Sequence, residues 1–203
     1  MKKWLIGFML AAAAAVAAHA EAPKVRLFGS LAYGWGGDQL VHGSYTDGSS
    51  FELLAGTGWV MAIGGDLRIT DTISVQASLG QQRNRVVASN GEFDFFRNPF
   101  EVLGFYAVSE QFRLGLGARK NYNAKVTGTG VASTYSGTGN YDSTTGAVLE
   151  GQYLFSPPKD ERSFVSGVSL RFVRENFKLA EDSGGTGEEK RGDHMAVSIF
   201  FYY

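Results

Sequence analysis

His194-Met195-Ala196-Val197-Ser198-Ile199-Phe200-Phe201-Tyr202-Tyr203 alternates in a single register. On an extended chain Met195, Val197, Ile199, Phe201 and Tyr203 share one face, and His194, Ala196, Ser198, Phe200 and Tyr202 share the other. An apolar strand at a chain end offers an open edge to other chains. The stretch therefore reads as the closing strand of a sheet that returns on itself.

Seven further segments repeat the pattern. Val25, Leu27, Leu31, Tyr33 and Trp35 oppose Arg26, Phe28, Ser30 and Ala32; Trp59, Met61, Ile63, Leu67 and Ile69 oppose Val60, Ala62, Asp66 and Arg68. Ile73, Val75, Ala77 and Leu79 oppose Ser74, Gln76 and Ser78; Phe100, Val102, Tyr106 and Val108 oppose Glu101, Leu103 and Phe105. Phe112, Leu114, Leu116 and Ala118 oppose Arg113 and Arg119, Ala147 to Phe155 oppose Val148 to Leu154, and Phe164 to Phe172 oppose Val165 to Arg171. With the terminal strand the count is eight. Links near 70–72, 109–111 and 156–162 are short, whereas those near 37–57, 84–95, 120–146 and 174–193 are long and polar. Three turns on one side and four loops on the other predict an all-β, eight-stranded antiparallel up-and-down transmembrane β-barrel.

The opposite end agrees. Lys2 and Lys3, an apolar run from Trp4 to Ala18 and the small-x-small stretch Ala18-His19-Ala20 read as a cleaved secretory signal peptide over residues 1–20, leaving a single barrel domain over 21–203. Removing the two lysines moves the formal charge from -1 to -3, and no basic patch suits a nucleic-acid backbone. There is no cysteine, so an exported chain of this size is held by a large core or by sheet closure. Much of the glycine, 27 residues in all, falls on polar strand faces, as the cramped interior of a small barrel requires.

The rival is a soluble barrel of lipocalin type, with its apolar face turned inward around a ligand. Two features favour the membrane version. Tyr33, Trp35, Trp59, Tyr106, Phe112, Tyr153, Phe155 and Tyr203 lie near strand ends, as girdles at a lipid boundary would. Polar-face charges also match across hairpins. Counted outward from Glu110, Glu101 and Arg119 fall opposite one another; Glu150 and Arg171 lie at similar heights about the third turn, and Asp66 faces the region of Gln76.

With these features the chain resembles the small eight-stranded outer-membrane barrels, a class that includes the OmpA transmembrane domain, OmpX and OmpW. The resemblance covers Val25 to Tyr203 and implies that Val197, Ile199, Phe201 and Tyr203 form the C-terminal signal read by the barrel-assembly machinery, with Tyr203 standing where Phe is commonest. It also implies a cell outer membrane location, in contact with membrane lipid and lipopolysaccharide, as a monomer.

The functional expectation is a structural or surface-interaction barrel whose lumen is filled by Arg26, Asp66, Arg68, Gln76, Glu101, Arg113, Arg119, Glu150, Arg171 and His194. Buried charges are costly unless paired, so these should form a network that plugs the lumen. The alternative is a narrow channel for ions or small solutes, with Glu101, Arg119, Glu150 and Arg171 as its gate. Arg85, Arg97, Lys120, Lys125, Arg174 and Lys178, near the expected outer rim, are candidates to pair with lipopolysaccharide phosphates.

Lipid-modifying catalysis needs a serine with a histidine base. Only His42, near Asp38, Ser44 and Asp47, and His194, four residues from Ser198 along one strand, are available. The second spacing is roughly 13 Å, too far for proton transfer. No enzyme is expected. No cofactor or metal is expected either, since the acids of Glu181 to Glu189 lack the spacing of a calcium loop.

Overall fold

The computed structural model describes residues 24–44, 50–88, 90–134, 137–156, 164–184 and 188–203. The proposed signal peptide, Asp47 and the Pro157-Pro158 turn lie outside them. Among the described residues thirteen strands run in chain order: β1 (Lys24–Gly36), β2 (Gln39–Ser44), β3 (Ser50–Leu54), β4 (Gly58–Arg68), β5 (Ile73–Ala88), β6 (Gly91–Ala107), β7 (Phe112–Gly130), β8 (Gly139–Ser143), β9 (Thr145–Leu154), β10 (Val165–Arg174), β11 (Asn176–Leu179), β12 (Glu189–Arg191) and β13 (His194–Tyr202). Eight of them, in the circular order β1-β4-β5-β6-β7-β9-β10-β13, pair antiparallel around a closed barrel. The seam between β1 and β13 pairs Phe28 to Gly36 with Tyr202 to His194, and it extends beyond the strand end as Leu27 N–H donates to the Tyr203 carbonyl at 2.7 Å. No described helix is long and apolar enough to cross a membrane.

Period two sorts the side chains. Val25, Leu27, Ile63, Leu79, Leu116 and Ile199 point outward and are exposed, while Asp66, Gln76, Glu101, Arg119, Glu150 and Arg171 point inward and are buried. This inverts the soluble arrangement and rules out the lipocalin-type rival, because a wall of this kind is matched to hydrocarbon. Tyr106, Phe112, Tyr153, Phe155 and Tyr203 ring the turn end; Trp35 and the edge-on pair Tyr33–Trp59 stand at the other. Val25 and Trp35, the limits of this face of β1, are about 25 Å apart along the barrel axis at a strand tilt near 40°.

The long links are more ordered than their polarity suggests. Within 84–95, expected as loop, residues 84–88 and 91–95 are strand, with Val86 opposite Phe93. The signal missed was pairing across the tip: Arg83 holds Asp94, and Arg85 holds Glu92, on the outward face. Both pairs are exposed, so a double-mutant cycle on Arg85 and Glu92, read by urea unfolding, should give a coupling of about 0.2–1 kcal/mol. Strand β7 continues past 120 to Gly130 and pairs with β8, and β8, β11 and β12 extend the wall upward. The arm β2–β3 folds over the opening.

One irregularity determines what enters the lumen. Between β6 and β7 the register shifts at Arg97, so that Phe96 faces Lys125 whereas Asn98 faces Tyr122. Asn123 takes the left-handed conformation (φ 52°), which asparagine tolerates better than most residues, and its amide donates to Asn98 Oδ1. The extra residue swaps the parity of β7, and Ala124 and Val126 turn inward.

Candidate functional site

The lumen holds a continuous chain of opposite charges. From the loop side downward, Arg97 stands 3.7 Å from Glu175, Glu175 is 3.1 Å from Arg119, and Arg119 is 3.0 Å from Glu101. Glu101 also holds Arg171, which lies 2.9 Å from Glu150. Gln152 then carries the chain on: its amide donates to Glu150 at 2.8 Å, and its oxygen accepts from Arg113 at 2.7 Å. Arg113 ends on Asp66 at 3.3 Å. Of the polar groups in the chain, only Arg113 and Asp66 reach the half-open turn side.

Backbone register explains the sequence of contacts. Glu101 pairs directly with Arg119, Glu150 with Arg171 and Asp66 with Gln76, so each hairpin delivers partners at one height. Barrel stagger then brings charges from non-adjacent strands together, as with Arg171 of β10 and Glu101 of β6. Isolated, each of these ions would carry a desolvation cost of several kcal/mol; alternation of sign offsets it. The link between Arg97 Nη2 and Glu175 Oε1 is the loosest, an ion pair without a hydrogen bond.

Each end of the chain is an arginine clamped between two aromatic rings. Arg97 lies 4.9 Å from the Phe95 centroid and 5.0 Å from that of Phe177; Arg113 lies 4.4 Å from Phe105 and 4.6 Å from Tyr202. Stacking on ring faces keeps a guanidinium planar and fixed while its edge binds carboxylates. The Tyr202 hydroxyl accepts from Arg113 and shares its proton between Gln76 (2.7 Å) and Gln152 (3.0 Å). Gly115 makes room for the lower clamp, since a Cβ there would stand 2.4 Å from the Phe105 ring.

Above Arg97 the lumen turns apolar. Leu40, Val41, Leu53 and Ala55 of the β2–β3 arm meet Phe93, Phe95, Ala124, Val126, Ala132, Tyr141 and Phe177 in a buried cluster. The arm is tied down from below: the Ala55 carbonyl accepts from Arg97, and the Gly56 carbonyl accepts from Gln82 at 3.1 Å. Gly37, at φ 84°, lets the chain pass close to Gly56, where a Cβ would meet the backbone nitrogen at 2.4 Å. Burial pushes the Tyr141 phenol up to about 12, so its hydroxyl remains a donor to the Gly137 carbonyl. A charged core thus lies under an apolar cap.

Of the expected lumen residues, Asp66, Gln76, Glu101, Arg119, Glu150, Arg171 and His194 are buried inside and Arg113 is half-buried. Arg26 and Arg68 are half-buried below the chain, lining a cavity of about 530 Å³ at the turn end. Arg97 is a correction. Expected at the rim as a lipopolysaccharide contact, it is 0% exposed in the lumen, because the odd positions of β6 face inward from Phe93 to Glu101. Glu175, at the break between β10 and β11, was missed; an acid at the start of a long, charged link carries no burial signal. Of the other rim candidates, Arg85, Lys125 and Arg174 are exposed, and Lys120 and Lys178 are half-buried, Lys120 donating to the Ser143 carbonyl.

Of the serine–histidine groups, Asp47 lies outside the described residues. His194 Nδ1 donates to the Gly192 carbonyl at 2.7 Å, Ser198 shares a proton with Ser169 at 2.6 Å, and His42 contacts Gln39. Val197, Ile199, Phe201 and Tyr203 form the outward face of β13.

No family model matches the chain, and no curated protein does. Similar solved structures include Ail, the attachment invasion locus protein of Yersinia pestis, in complex with the heparin analogue sucrose octasulfate, at 12% identity over 89% of this chain and 99% of that one, with a TM-score of 0.47. Neisserial surface protein A is 14% identical over 88% of this chain and 99% of that one (TM-score 0.44). The outer membrane protein AlkL, solved by solid-state NMR in DMPC lipid bilayers, is 10% identical over 92% and 94% (TM-score 0.44). The architecture of this chain is an eight-stranded antiparallel up-and-down β-barrel with an apolar outer face.

Proposed function

We propose that the protein is a monomeric, integral barrel of the bacterial outer membrane, with a closed lumen, acting as a structural or surface-interaction protein rather than as a channel or an enzyme. The observation that supports this reading is the ion-pair chain from Arg97 to Asp66, buried along nearly all its length and covered by the apolar cluster of the loops. Conduction would require parting several paired charges and lifting the cap in the same event. The membrane setting is supported by the outward apolar belt and its two aromatic boundaries. Arg85, Lys120, Lys125, Arg174 and Lys178 are proposed to meet lipopolysaccharide phosphates, and the β13 outer face to be read during assembly.

Conductance of refolded residues 21–203 across a planar lipid bilayer tests the reading. The expected result is a silent bilayer for both the natural sequence and Glu101→Gln. Discrete current steps altered by that substitution would make the lumen a solute path and the ion-pair chain its gate.

A further inference from the structure

The wall of the barrel carries a polar cavity of about 650 Å³, lined by Asp38, Arg174, Asn176, Glu189, Arg191 and Asp193. Its place is set by register. Trp35, Met195 and Phe172 form one outward row across β1, β13 and β10, part of the outer boundary of the belt. Arg174 and Asp193 are the next outward positions above that row, and Asn176 pairs with Arg191 beyond them. One outward step is about 5 Å along the membrane normal at a 40° tilt, so the cavity lies at the depth of lipid headgroups.

The lining chemistry is selective. Each carboxylate already accepts a hydrogen bond: Asp38 from Arg191 N–H at 2.9 Å, Asp193 from Glu175 N–H at 2.9 Å, and Glu189 from the Asn176 amide at 3.3 Å. The guanidinium groups of Arg174 and Arg191 have no partner among the described residues. Nor do the described acids and histidines converge as a metal site would require. Two unpaired arginine forks suit a phosphate, and the remaining carboxylate lone pairs suit sugar hydroxyls.

We propose that Arg174 and Arg191 bind the phosphorylated sugar headgroup of an outer-leaflet glycolipid, with Asp38 and Glu189 accepting from its hydroxyls. This rests on the outer-membrane reading above and names the site of its lipid contact. A free phosphate ion would face three carboxylates with two cations to hold it. A headgroup anchored by its acyl chains arrives at high effective concentration and brings the hydroxyls that those carboxylates need.

The test refolds residues 21–203 into phosphatidylcholine vesicles alone, with phosphorylated lipid A, or with lipid A stripped of its phosphates, and follows the thermal midpoint by circular dichroism. Phosphorylated lipid A should raise the midpoint and the stripped form should not. Arg174→Gln/Arg191→Gln should weaken apparent binding at least about ten-fold, while Arg83→Gln, whose partner is Asp94, should not. Unchanged spectra in phosphatidylcholine alone establish that the variants fold. Full stabilisation of the double variant would overturn this site and leave the membrane reading intact. Glucosamine 1-phosphate in solution binding as tightly as the lipid would overturn the lipid source, and no response to either lipid A would overturn the lipopolysaccharide partner itself.

Discussion

Replacing Arg119 with Met is expected to destabilise the folded barrel by about 3–5 kcal/mol, the cost of leaving buried charges without a counterion. The side chain is 1% exposed and is the hub of the lumen, hydrogen-bonded to Glu101 at 3.0 Å and Gln82 at 2.6 Å and ion-paired with Glu175 at 3.1 Å. Methionine keeps the length and the apolar stem, so the loss measures charge and not volume. Urea unfolding in lipid vesicles is the measurement. Adding Glu101→Gln to the same chain should recover a large part of the loss, because each remaining lumen carboxylate then keeps an arginine: Glu175 with Arg97, Glu150 with Arg171 and Asp66 with Arg113. A single-variant loss below about 1 kcal/mol would place these groups in a watered interior, where pairs are worth little, and would undercut the closed-lumen reading.

Phe177→Ala should open the cap while leaving the barrel beneath it intact. Truncating a buried phenylalanine costs about 3–5 kcal/mol, and this one packs edge-on against Phe95 and stacks on Arg97. Because the cap is built from β2, β3, β8, β11 and the loop-side ends of β6 and β7, above the membrane belt, the loss should fall on local opening. Hydrogen exchange of the β8 and β11 amides should speed up by roughly 10² to 10³-fold, with β9, β10 and β13 unchanged. Equal acceleration in those barrel strands would make cap and barrel one cooperative unit.

The barrel was legible because a strand between lipid and lumen repeats every two residues, and β13 does so without interruption from Met195 to Tyr202. Counting from a tight turn was enough to set Glu101 against Arg119, since an antiparallel hairpin leaves no freedom between turn and register. The upper half was less legible for three physical reasons. The Asn123 bulge reverses parity partway along β7, and no period-two pattern survives a one-residue insertion. Arg97 sits one strand length above the turn, where charge alone suggests a solvated rim. Glu175 reaches Arg119 only through barrel stagger, a three-dimensional relation with no counterpart in spacing. The cap residues Leu40, Val41 and Leu53 are apolar islands in a polar stretch, and their burial depends on partners in three other loops.

The seam between β1 and β13 has a kinetic consequence. It joins positions that are nearly a whole described chain apart, Leu27 to Tyr203, and such contacts must be formed against the largest loop-closure entropy in the molecule. Every other barrel ladder joins strands close in sequence and can zip from its own turn. Until the seam forms, the chain is an open sheet with two unsatisfied borders, and each can recruit a neighbouring chain as readily as its own partner. The slow step of maturation is therefore the meeting of first and last strands, and dilution or a chaperoning surface at that moment decides between a barrel and an aggregate.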